Sequence, residues 1–330
     1  MKIAVDAMGG DYAPAEVVRG ALEGARAWQV DVVLVGNAEL VRREAGDAAE
    51  VVDAPEVIAP EEPPAQAIRR KRRSSLAVGL RLLKEGRVDA LVSAGSTGAM
   101  LAGGVLMVGG IPGVRRPALG TTLPTAEGWG TFLLDMGANV DVSPQELLQY
   151  GIMGSLYVER VLGVAQPRVA ILNVGTEPNK GNEMCKAAHV LLASSHLNFV
   201  GNLEARDLPY GRADVVVCDG FVGNVVLKLM EGVGQAVFHL MRREIRGPRA
   251  VLGGALLRPE LVGLKRRLDY AEYGGAPLLG LARPVIKCHG SSRALAIRNG
   301  VRVARDYVVN QVAEQIRSEV IQREGAAGER

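Results

Sequence analysis

Residues 2–11 read Lys-Ile-Ala-Val-Asp-Ala-Met-Gly-Gly-Asp, an apolar run that ends in an aspartate and leads into a glycine turn. Apolar runs of this kind, rich in Val, Ile and Leu, recur at residues 31–36, 88–93, 131–135, 168–174, 197–200 and 213–218. Most of them are separated by segments with helical spacing, at residues 15–27, 74–86, 143–162, 182–194, 224–246 and 291–323. Strands without polar alternation are typical of a parallel sheet covered by helices on both faces. The sequence therefore predicts an α/β fold, a three-layer α/β/α sandwich with a mainly parallel sheet.

The length and composition of the chain allow a large buried core. The chain has 330 residues, of which 48% are hydrophobic, and we predict a single α/β domain that spans residues 1–330. The 39 basic and 36 acidic residues leave a net charge of +3, so no nucleic-acid partner is predicted. Three cysteines without C-x-x-C spacing, and a start that enters a strand directly, predict a cytoplasmic protein with reduced thiols.

One uncharged stretch, residues 90–114, is long enough to cross a bilayer. Its glycines and Pro112 would interrupt a lipid-exposed helix and leave backbone groups unpaired. A strand, a glycine turn and a buried helix fit this stretch better, and we predict no transmembrane segment.

Polar loops that contain glycine follow the predicted strands. These loops are residues 7–11, 94–98, 136–139, 175–182, 219–224 and 288–292. Glycine lets the backbone approach a ligand closely, and the helix that follows offers unpaired N–H groups to an anion. In a parallel sheet the ligand lies beyond the carboxyl ends of the strands, where the loops converge. Six such loops with Ser, Thr, Asn, Asp and Lys predict a phosphate or phosphorylated ligand.

Motifs of other α/β enzymes are absent from the sequence. It contains no G-x-x-x-x-G-K-[ST], no G-x-G-x-x-G after the first strand and no G-x-S-x-G nucleophile elbow. The four histidines show no metal-ligand spacing. What remains is a phosphate site without an evident covalent nucleophile, and neither a metal nor another cofactor is predicted.

The loops belong to a larger set of stretches that covers nearly the whole chain in order. The set comprises residues 3–11, 93–99, 116–118, 135–141, 173–177, 180–183, 201–207, 219–225, 273–276 and 287–292. Together they resemble the fatty acyl–acyl carrier protein:phosphate acyltransferase family of bacterial phospholipid synthesis. Three positions depart from the family's pattern: Ser96 replaces a common Asn, Cys288 a usual Ala and Tyr12 a frequent His. The first two replacements are small, and Tyr12 argues against an acid–base role at its position.

The resemblance implies a reaction, a fold group and a set of partners. The reaction converts fatty acyl–acyl carrier protein and inorganic phosphate to acyl phosphate and free carrier protein. The product feeds glycerol-3-phosphate acylation by a membrane acyltransferase, so the resemblance implies peripheral association with the cytoplasmic membrane. It also implies a Rossmann-like fold, similar to the phosphate acetyltransferase and isocitrate dehydrogenase group, and a homodimer.

Lys180 and Asn224 are the candidate catalytic residues. Phosphate is already an anionic nucleophile, so such a site needs donors for phosphate and for the carbonyl oxyanion more than it needs a triad. Lys180 lies in a glycine-flanked loop before a predicted helix, and the alternative is a solvent-exposed lysine. Asn224 offers a side-chain amide, and the alternative is a helix N-cap.

Weaker candidates for substrate binding are Gly9, Gly10, Ser96, Thr97, Asn139 and His289. Carboxylates repel phosphate, so we expect helix capping or orientation of the basic donors from Asp6, Asp11, Asp135 and Asp219.

Two surface segments are candidates for contacts with partners. The basic run 69–73, with Arg70, Lys71 and Arg72, is either a solvated face or a docking patch for an acidic carrier protein. Residues 238–268 combine leucines with arginines and predict a protruding amphipathic helical hairpin, which lies in a membrane interface or builds a dimer contact. The hairpin's candidate membrane contacts are Leu252, Leu256, Leu257 and Leu261.

Two other functions fit the same residues. The first is a phosphate acyltransferase that takes its acyl group from acyl-CoA, which the same loops would serve. The second is a noncatalytic membrane-binding scaffold, in which the glycine loops are structural turns. A hydride-transfer enzyme of the isocitrate dehydrogenase type is disfavoured because the sequence lacks a metal-binding carboxylate cluster.

Overall fold

An eleven-stranded β-sheet forms the centre of the computed structural model, which describes residues 1–126, 130–244, 253, 256–268 and 274–328. The strands are β1 (Lys2–Asp6), β2 (Asp31–Gly36), β3 (Glu50–Asp53), β4 (Ala90–Ser93), β5 (Ala118–Leu123), β6 (Thr131–Leu134), β7 (Arg168–Asn173), β8 (Asn198–Glu204), β9 (Val215–Val217), β10 (Ala276–Leu279) and β11 (Val285–Lys287). The α-helices are α1 (Ala15–Trp28), α2 (Ala38–Ala45), α3 (Pro64–Arg70), α4 (Ser75–Lys84), α5 (Thr97–Gly103), α6 (Pro144–Leu162), α7 (Glu183–Ala193), α8 (Gly220–Glu244), α9 (Arg258–Leu268), α10 (Ala294–Val309) and α11 (Val312–Gly328).

The sheet is mainly parallel, and its parallel strands form two opposed sets. The strand order is β3-β2-β1-β4-β11-β10-β5-β6-β9-β7-β8. Only the three central pairings, β11–β10, β10–β5 and β5–β6, are antiparallel. Because three reversals separate the two sets, the strands from β3 to β11 in this order run in one direction and those from β6 to β8 in the other.

Helices cover both faces of the sheet, because successive residues of each strand point to opposite faces. In β1, Ile3 and Val5 belong to the core on one face, which includes residues of α1, α6 and α10, whereas Ala4 belongs to the core on the other face, which includes residues of α4 and α5. Farther along this second face, β9 packs against α8. The predicted fold class, a three-layer sandwich with a mainly parallel sheet, is confirmed.

Local sequence signals explain several element boundaries. Helix α6 begins with a capping box, in which Ser143 accepts the backbone N–H of Glu146 and the Glu146 side chain accepts the backbone N–H of Ser143. The prediction of one helix over residues 291–323 is wrong, because Gln311 has a left-handed φ of 51° and separates α10 from α11. Residues 90–114 form β4, α5 and a π-helical turn (Gly104–Val108), as the glycine pattern predicts, although Leu106 is exposed.

The predicted hairpin segment lies partly outside the described residues. Helix α8 starts at Gly220, earlier than predicted, and Leu252 lies outside the described part of the chain. By length and composition alone, one helix of the described residues, Gly220–Met241, could cross a membrane, with a mean hydropathy of 1.2 and 6% of it buried. This long apolar helix is therefore largely uncovered by the rest of the described chain.

Candidate active site

The two opposed sets of strands gather the predicted loops at two edges of the sheet. At the carboxyl ends of the neighbouring strands β6, β9 and β7, which we call the β6 edge, lie Asn139, Asn224 and Lys180. At the carboxyl ends of the neighbouring strands β1, β4 and β11, which we call the β1 edge, lie Gly9, Gly10, Ser96, Thr97 and His289. The six loops therefore form two groups, where the sequence analysis expects one convergence.

Asp135 organises the loop that follows β6. Its carboxylate is fully buried and accepts the backbone N–H groups of Leu119, Gly137, Ala138 and Asn139 at distances of 2.7–3.1 Å. Burial raises the pKa of this carboxyl group, and the hydrogen bonds oppose that shift because they favour the charged form. A carboxylate that holds four amides in place supports the loop and does not face a ligand.

Asn139 joins this loop to the start of α8. Its buried side-chain nitrogen lies 2.8 Å from the Pro117 carbonyl oxygen and 3.0 Å from both the Tyr150 hydroxyl and the Asp135 carboxylate. The Asn139 carbonyl oxygen accepts the backbone N–H of Gly220 at 2.7 Å. The amide nitrogen is thus engaged within the protein, and Asn139 contributes to this edge by fixing the loop against α8.

Asn224 lies in α8 next to the β6 loop. A Cβ atom placed on Gly137 would be 3.7 Å from the Cβ and Cγ atoms of Asn224. The N-cap alternative for Asn224 is wrong, because the helix begins at Gly220 and Asp219 accepts the backbone N–H of Val222 at 2.8 Å. Within the described residues the half-buried Asn224 side chain makes no hydrogen bond, so its amide is available to a ligand.

Lys180 lies in the loop between β7 and α7, with its side chain exposed. Its backbone is held on both sides: its N–H donates to the Glu177 carbonyl at 3.0 Å, and its carbonyl accepts the Asn173 side-chain amide at 3.1 Å. Asn182 then caps α7 by accepting the backbone N–H of Cys185 at 2.8 Å. No ion pair to the Lys180 ammonium is found in the described ranges, so the β6 edge presents a cation on a fixed backbone.

The β6 edge combines donors for an anion with nearby carboxylates, those of Asp219 and Glu177. Helices α7 and α8 both begin here, and a helix N-terminus carries a partial positive charge. Some of its N–H groups are already engaged: Gly220 and Val222 of α8 donate to Asn139 and Asp219, and Cys185 of α7 donates to Asn182. Burial raises the pKa of the Cys185 and Cys218 thiols, and the nearby Asp219 carboxylate raises both further, so both thiols are neutral near pH 7. The edge thus offers a cation, an amide and two helix N-termini, which can hold phosphate and polarise a carbonyl.

The loops of the β1 edge pack closely on one another. A Cβ atom on Gly9 would lie 2.7 Å from the Asp6 carboxylate and from the backbone nitrogen of Gly95, so only glycine fits there. Gly10 has a left-handed φ of 100°, which also favours glycine. The Ser96 hydroxyl accepts a backbone N–H in the first turn of α5, and half-buried Thr97 is the first residue of that helix. These contacts are sufficient structural reasons for the glycines and for Ser96.

Lys287 and His289 of the β1 edge contact groups of their own loop, whereas Asp11 and Arg293 are exposed. The Lys287 ammonium is buried and donates to the Cys288 carbonyl; burial lowers its pKa, and the nearby Asp6 carboxylate opposes the shift. The exposed His289 ring lies in a turn, where its Nδ1 is 2.8 Å from the Ser291 hydroxyl and 3.2 Å from the Ser291 backbone nitrogen. The donors of Lys287 and His289 are therefore directed toward groups of the β1 edge itself.

Comparison with known proteins shows the family of the chain. Residues 1–315 match the family model described as "Fatty acid synthesis protein". The chain is 51% identical to the phosphate acyltransferase of Pelotomaculum thermopropionicum, over 99% of this chain and 98% of that protein. It is 52% identical to the phosphate acyltransferase of Heliobacterium modesticaldum, over 93% of this chain and 94% of that protein. The chain belongs to the phosphate acyltransferase family.

Family membership gives the class of reaction. The chain is an enzyme of acyl transfer to phosphate, in fatty acid and phospholipid synthesis. Among solved structures, a phosphotransacetylase from Streptococcus pyogenes is similar in fold, with a TM-score of 0.64 and 18% identity, covering 95% of this chain and 94% of that one. The predicted relation to the phosphate acetyltransferase fold is confirmed.

The predicted partner segments differ in their availability. In the basic run, Arg70 and Arg72 are exposed, whereas Lys71 forms an ion pair with Glu62 at 2.6 Å and donates to the Val57 carbonyl at 2.8 Å. In the hairpin segment, Leu256 and Leu257 are 74% and 57% exposed, and Leu261 is half-buried.

The residues that support the site are not predictable from local sequence patterns. Tyr150 carries no motif, and Asn202 lies in the family-like stretch 201–207 without a predicted role. Their partners lie 11 to 25 residues away in the sequence: Asn139 for Tyr150, and Glu177 and His189 for Asn202. Only the folded sheet brings these groups together. Lys287, which lies directly after two apolar residues, was likewise not recognisable as a buried cation.

Proposed function

We propose that the chain transfers a fatty acyl group from acyl carrier protein to inorganic phosphate, releasing acyl phosphate that feeds glycerol-3-phosphate acylation. The observation that supports this proposal most is the β6 edge, where the Lys180 ammonium and the Asn224 amide form no ion pair or hydrogen bond with the described residues and lie near the starts of α7 and α8. A cation and an amide suit phosphate and a thioester carbonyl, respectively. Residues 1–330 would act as one catalytic domain.

The transfer needs no covalent enzyme intermediate. A phosphate oxygen attacks the thioester carbonyl carbon, and the carbonyl oxygen becomes an oxyanion that accepts a hydrogen bond from Asn224. The carbon–sulfur bond then breaks, and the carrier protein leaves as a thiolate that takes a proton from water. Lys180 holds phosphate and offsets its charge. Positioning of two reactants contributes roughly 7–11 kcal/mol to such a reaction, and one oxyanion donor about 3–4 kcal/mol.

The surroundings of the site support direct transfer. The nearby thiols of Cys185 and Cys218 are neutral near pH 7 because burial raises their pKa values, which makes them poor nucleophiles. Asp135 is fully buried and occupied by backbone N–H groups, so it does not serve as a general base.

The test is acyl-phosphate formation from palmitoyl–acyl carrier protein, with and without inorganic phosphate. We expect phosphate-dependent release of free carrier protein and a product that hydroxylamine traps. Turnover with palmitoyl-CoA and none with the carrier-linked donor would favour the acyl-CoA alternative. No turnover with either donor would contradict the enzyme reading and favour the scaffold.

For the carrier protein we propose docking on the basic run 69–73. Arg70 and Arg72 are exposed, as are Arg69 and Arg73, whereas Lys71 is paired with Glu62 and contributes less. Charge reversal at Arg70 and Arg72 should raise the KM for the carrier-linked donor and leave the KM for phosphate unchanged. Unchanged KM values would contradict docking here and favour the alternative that the basic run is a solvated face.

For the membrane we propose peripheral contact through the hairpin segment, near a membrane glycerol-3-phosphate acyltransferase that takes the product. The exposed side chains of Leu256 and Leu257 support this proposal. Changing both to Glu should abolish binding to anionic lipid vesicles; intact binding would contradict the assignment. The uncovered apolar residues of α8 support a homodimer, which sedimentation would detect as twice the mass of the chain.

A further inference from the structure

A chain of hydrogen bonds lies behind the Lys180 loop. The His189 Nδ1 atom, on α7, is 2.9 Å from the Asn202 side-chain oxygen, and the Asn202 side-chain nitrogen donates to the Glu177 carbonyl at 2.6 Å. The same Glu177 carbonyl accepts the backbone N–H of Lys180 at 3.0 Å. This series of hydrogen bonds thus runs from α7, through the edge strand β8, to the backbone of Lys180.

The orientation of each group in this chain is fixed by its neighbours. The Glu177 carbonyl can only accept a hydrogen bond, so the Asn202 amide must turn its NH₂ group toward it. The Asn202 oxygen then faces His189, which must carry a proton on Nδ1 to donate to it. The His189 ring is also held edge-on against Phe199, with ring centroids 5.1 Å apart. Asn202 itself is only 8% exposed, so it has little alternative contact with water.

We propose that Asn202 is a positioning residue for acyl transfer, which acts by holding the Lys180 loop in its productive place. The Asn173 amide of β7 donates to the Lys180 carbonyl, and the hydrogen bond from Asn202 ties the loop to β8. Without that tie, the turn that carries the Lys180 N–H would be anchored on one strand only. The inference rests on the proposed role of Lys180 as the phosphate donor group.

The size of the effect follows from how catalysis depends on position. Displacing a catalytic group by about 1 Å can lower the rate about 100-fold. We therefore expect Asn202→Asp, which keeps the size of the side chain but cannot donate to the Glu177 carbonyl, to lower kcat by about 10- to 100-fold. The KM for the acyl donor should stay close to the wild-type value, because the loop holds phosphate rather than the acyl chain.

The experiment measures kcat and both KM values for Asn202→Asp, Lys180→Ala and the double variant. If Asn202 acts through Lys180, its effect on kcat disappears in the Lys180→Ala background. Asn198→Ala is the matched control, because Asn198 lies on the same strand and donates to the Gln166 carbonyl, away from the loop. His189→Asn, which retains a donor near the Nδ1 position, should keep most of the activity that His189→Leu loses.

The outcomes separate this inference from the proposed function. Wild-type kcat in Lys180→Ala would defeat the role of Lys180 itself. A loss in Lys180→Ala with wild-type kcat in Asn202→Asp would overturn only the positioning role. Equal fold-losses from Asn202→Asp with and without Lys180 would also overturn it, because the residue would then act through another group. Unfolding temperatures of all variants, compared with that of Asn198→Ala, distinguish a misplaced loop from a damaged fold.

Discussion

The loops at the β1 edge and at the β6 edge have similar sequences but differ in the side chains that they leave available to a ligand. At each edge a buried aspartate, Asp6 or Asp135, closes a strand and accepts backbone N–H groups from the turn that follows. At the β1 edge the turn packs against a second loop at Gly95, whereas at the β6 edge it packs against α8 and leaves Asn224 open. A glycine loop after a strand therefore marks a ligand site only where the neighbouring element leaves donors unengaged.

The largest expected effect would separate the two edges by activity. Lys180→Ala and Asn224→Ala at the β6 edge should each lower kcat by about 100- to 1000-fold, because each removes a donor to phosphate or to the oxyanion. Ser96→Ala and His289→Ala at the β1 edge should change kcat by less than about tenfold, because their side chains are engaged in a helix cap and a turn.

Steady-state assays with carrier-linked donor and varied phosphate make this comparison, with circular dichroism as the check on folding. Comparable losses of kcat from the two pairs of variants would mean that both edges contribute to one site, and would contradict the assignment of catalysis to the β6 edge.

The next effect concerns the glycines that let the loops approach. A Cβ atom on Gly223 would lie 1.9 Å from the Asp135 carbonyl oxygen, so Gly223→Ala should lower the free energy of unfolding by about 1–3 kcal/mol or more. Gly9→Ala, with contacts of 2.7 Å, should destabilise the β1 edge in the same way. Gly232→Ala is the control within α8, since no atom lies within 4 Å of its Cβ position, and it should stabilise by about 1 kcal/mol.

Urea unfolding measures these free energies. Assays on the fully folded fraction compare the activity of the two variants. We expect a lower kcat from Gly223→Ala, because it displaces the first turn of α8 beside Asn224. We expect a nearly normal kcat from Gly9→Ala. A stable Gly223→Ala variant would contradict the close packing of α8 on the β6 loop.

The smallest effect is the dependence of stability on pH. Burial raises the pKa values of both Asp6 and Asp135, so the folded protein binds these protons more tightly than the unfolded chain does. The free energy of unfolding therefore falls as pH rises from the ordinary value of 3.8 through the raised pKa, by at most about 1.4 kcal/mol per pH unit for one proton.

Replacing either aspartate by Asn should flatten this part of the profile, whereas exposed Asp31→Asn should leave it unchanged. Urea unfolding between pH 4 and 7 gives the profile. Only Asp135→Asn should also lower kcat, because Asp135 holds the loop beside Asn224. An equal loss of kcat from Asp6→Asn would indicate that the β1 edge also contributes to catalysis.

The sequence predicts the buried parallel strands well and the central antiparallel strands poorly. Strands β1 and β2 lie at residues 2–6 and 31–36, as their apolar runs predict. Strands β5 and β10 are not predicted because each contains a residue that weakens a strand pattern, Gly120 in β5 and Pro277 in β10. The opposed direction of the two sets depends on these two strands, so the separation of the loops into two edges could not be foreseen.

The candidate catalytic side chains could be predicted from the sequence, whereas the side chains that hold their loops in place could not. Lys180 and Asn224 could be named because a cation and an amide in glycine-rich loops suit phosphate and a carbonyl, and their roles remain predictions. The side chains that fix those loops, such as Asn202, act across many residues of sequence. Local patterns carry no information about such distant pairings.

The position of β10 and β11 in the centre of the sheet has a consequence for biosynthesis. Strand β4 borders β11 and β5 borders β10, although residues 276–287 leave the ribosome long after β4 and β5. Until then, the nascent chain holds two partial sheets, each with an open edge that can pair with another chain. Joining the two halves is thus reserved for a late stage of translation, and a stalled or truncated chain that lacks these strands would be a natural client for chaperones.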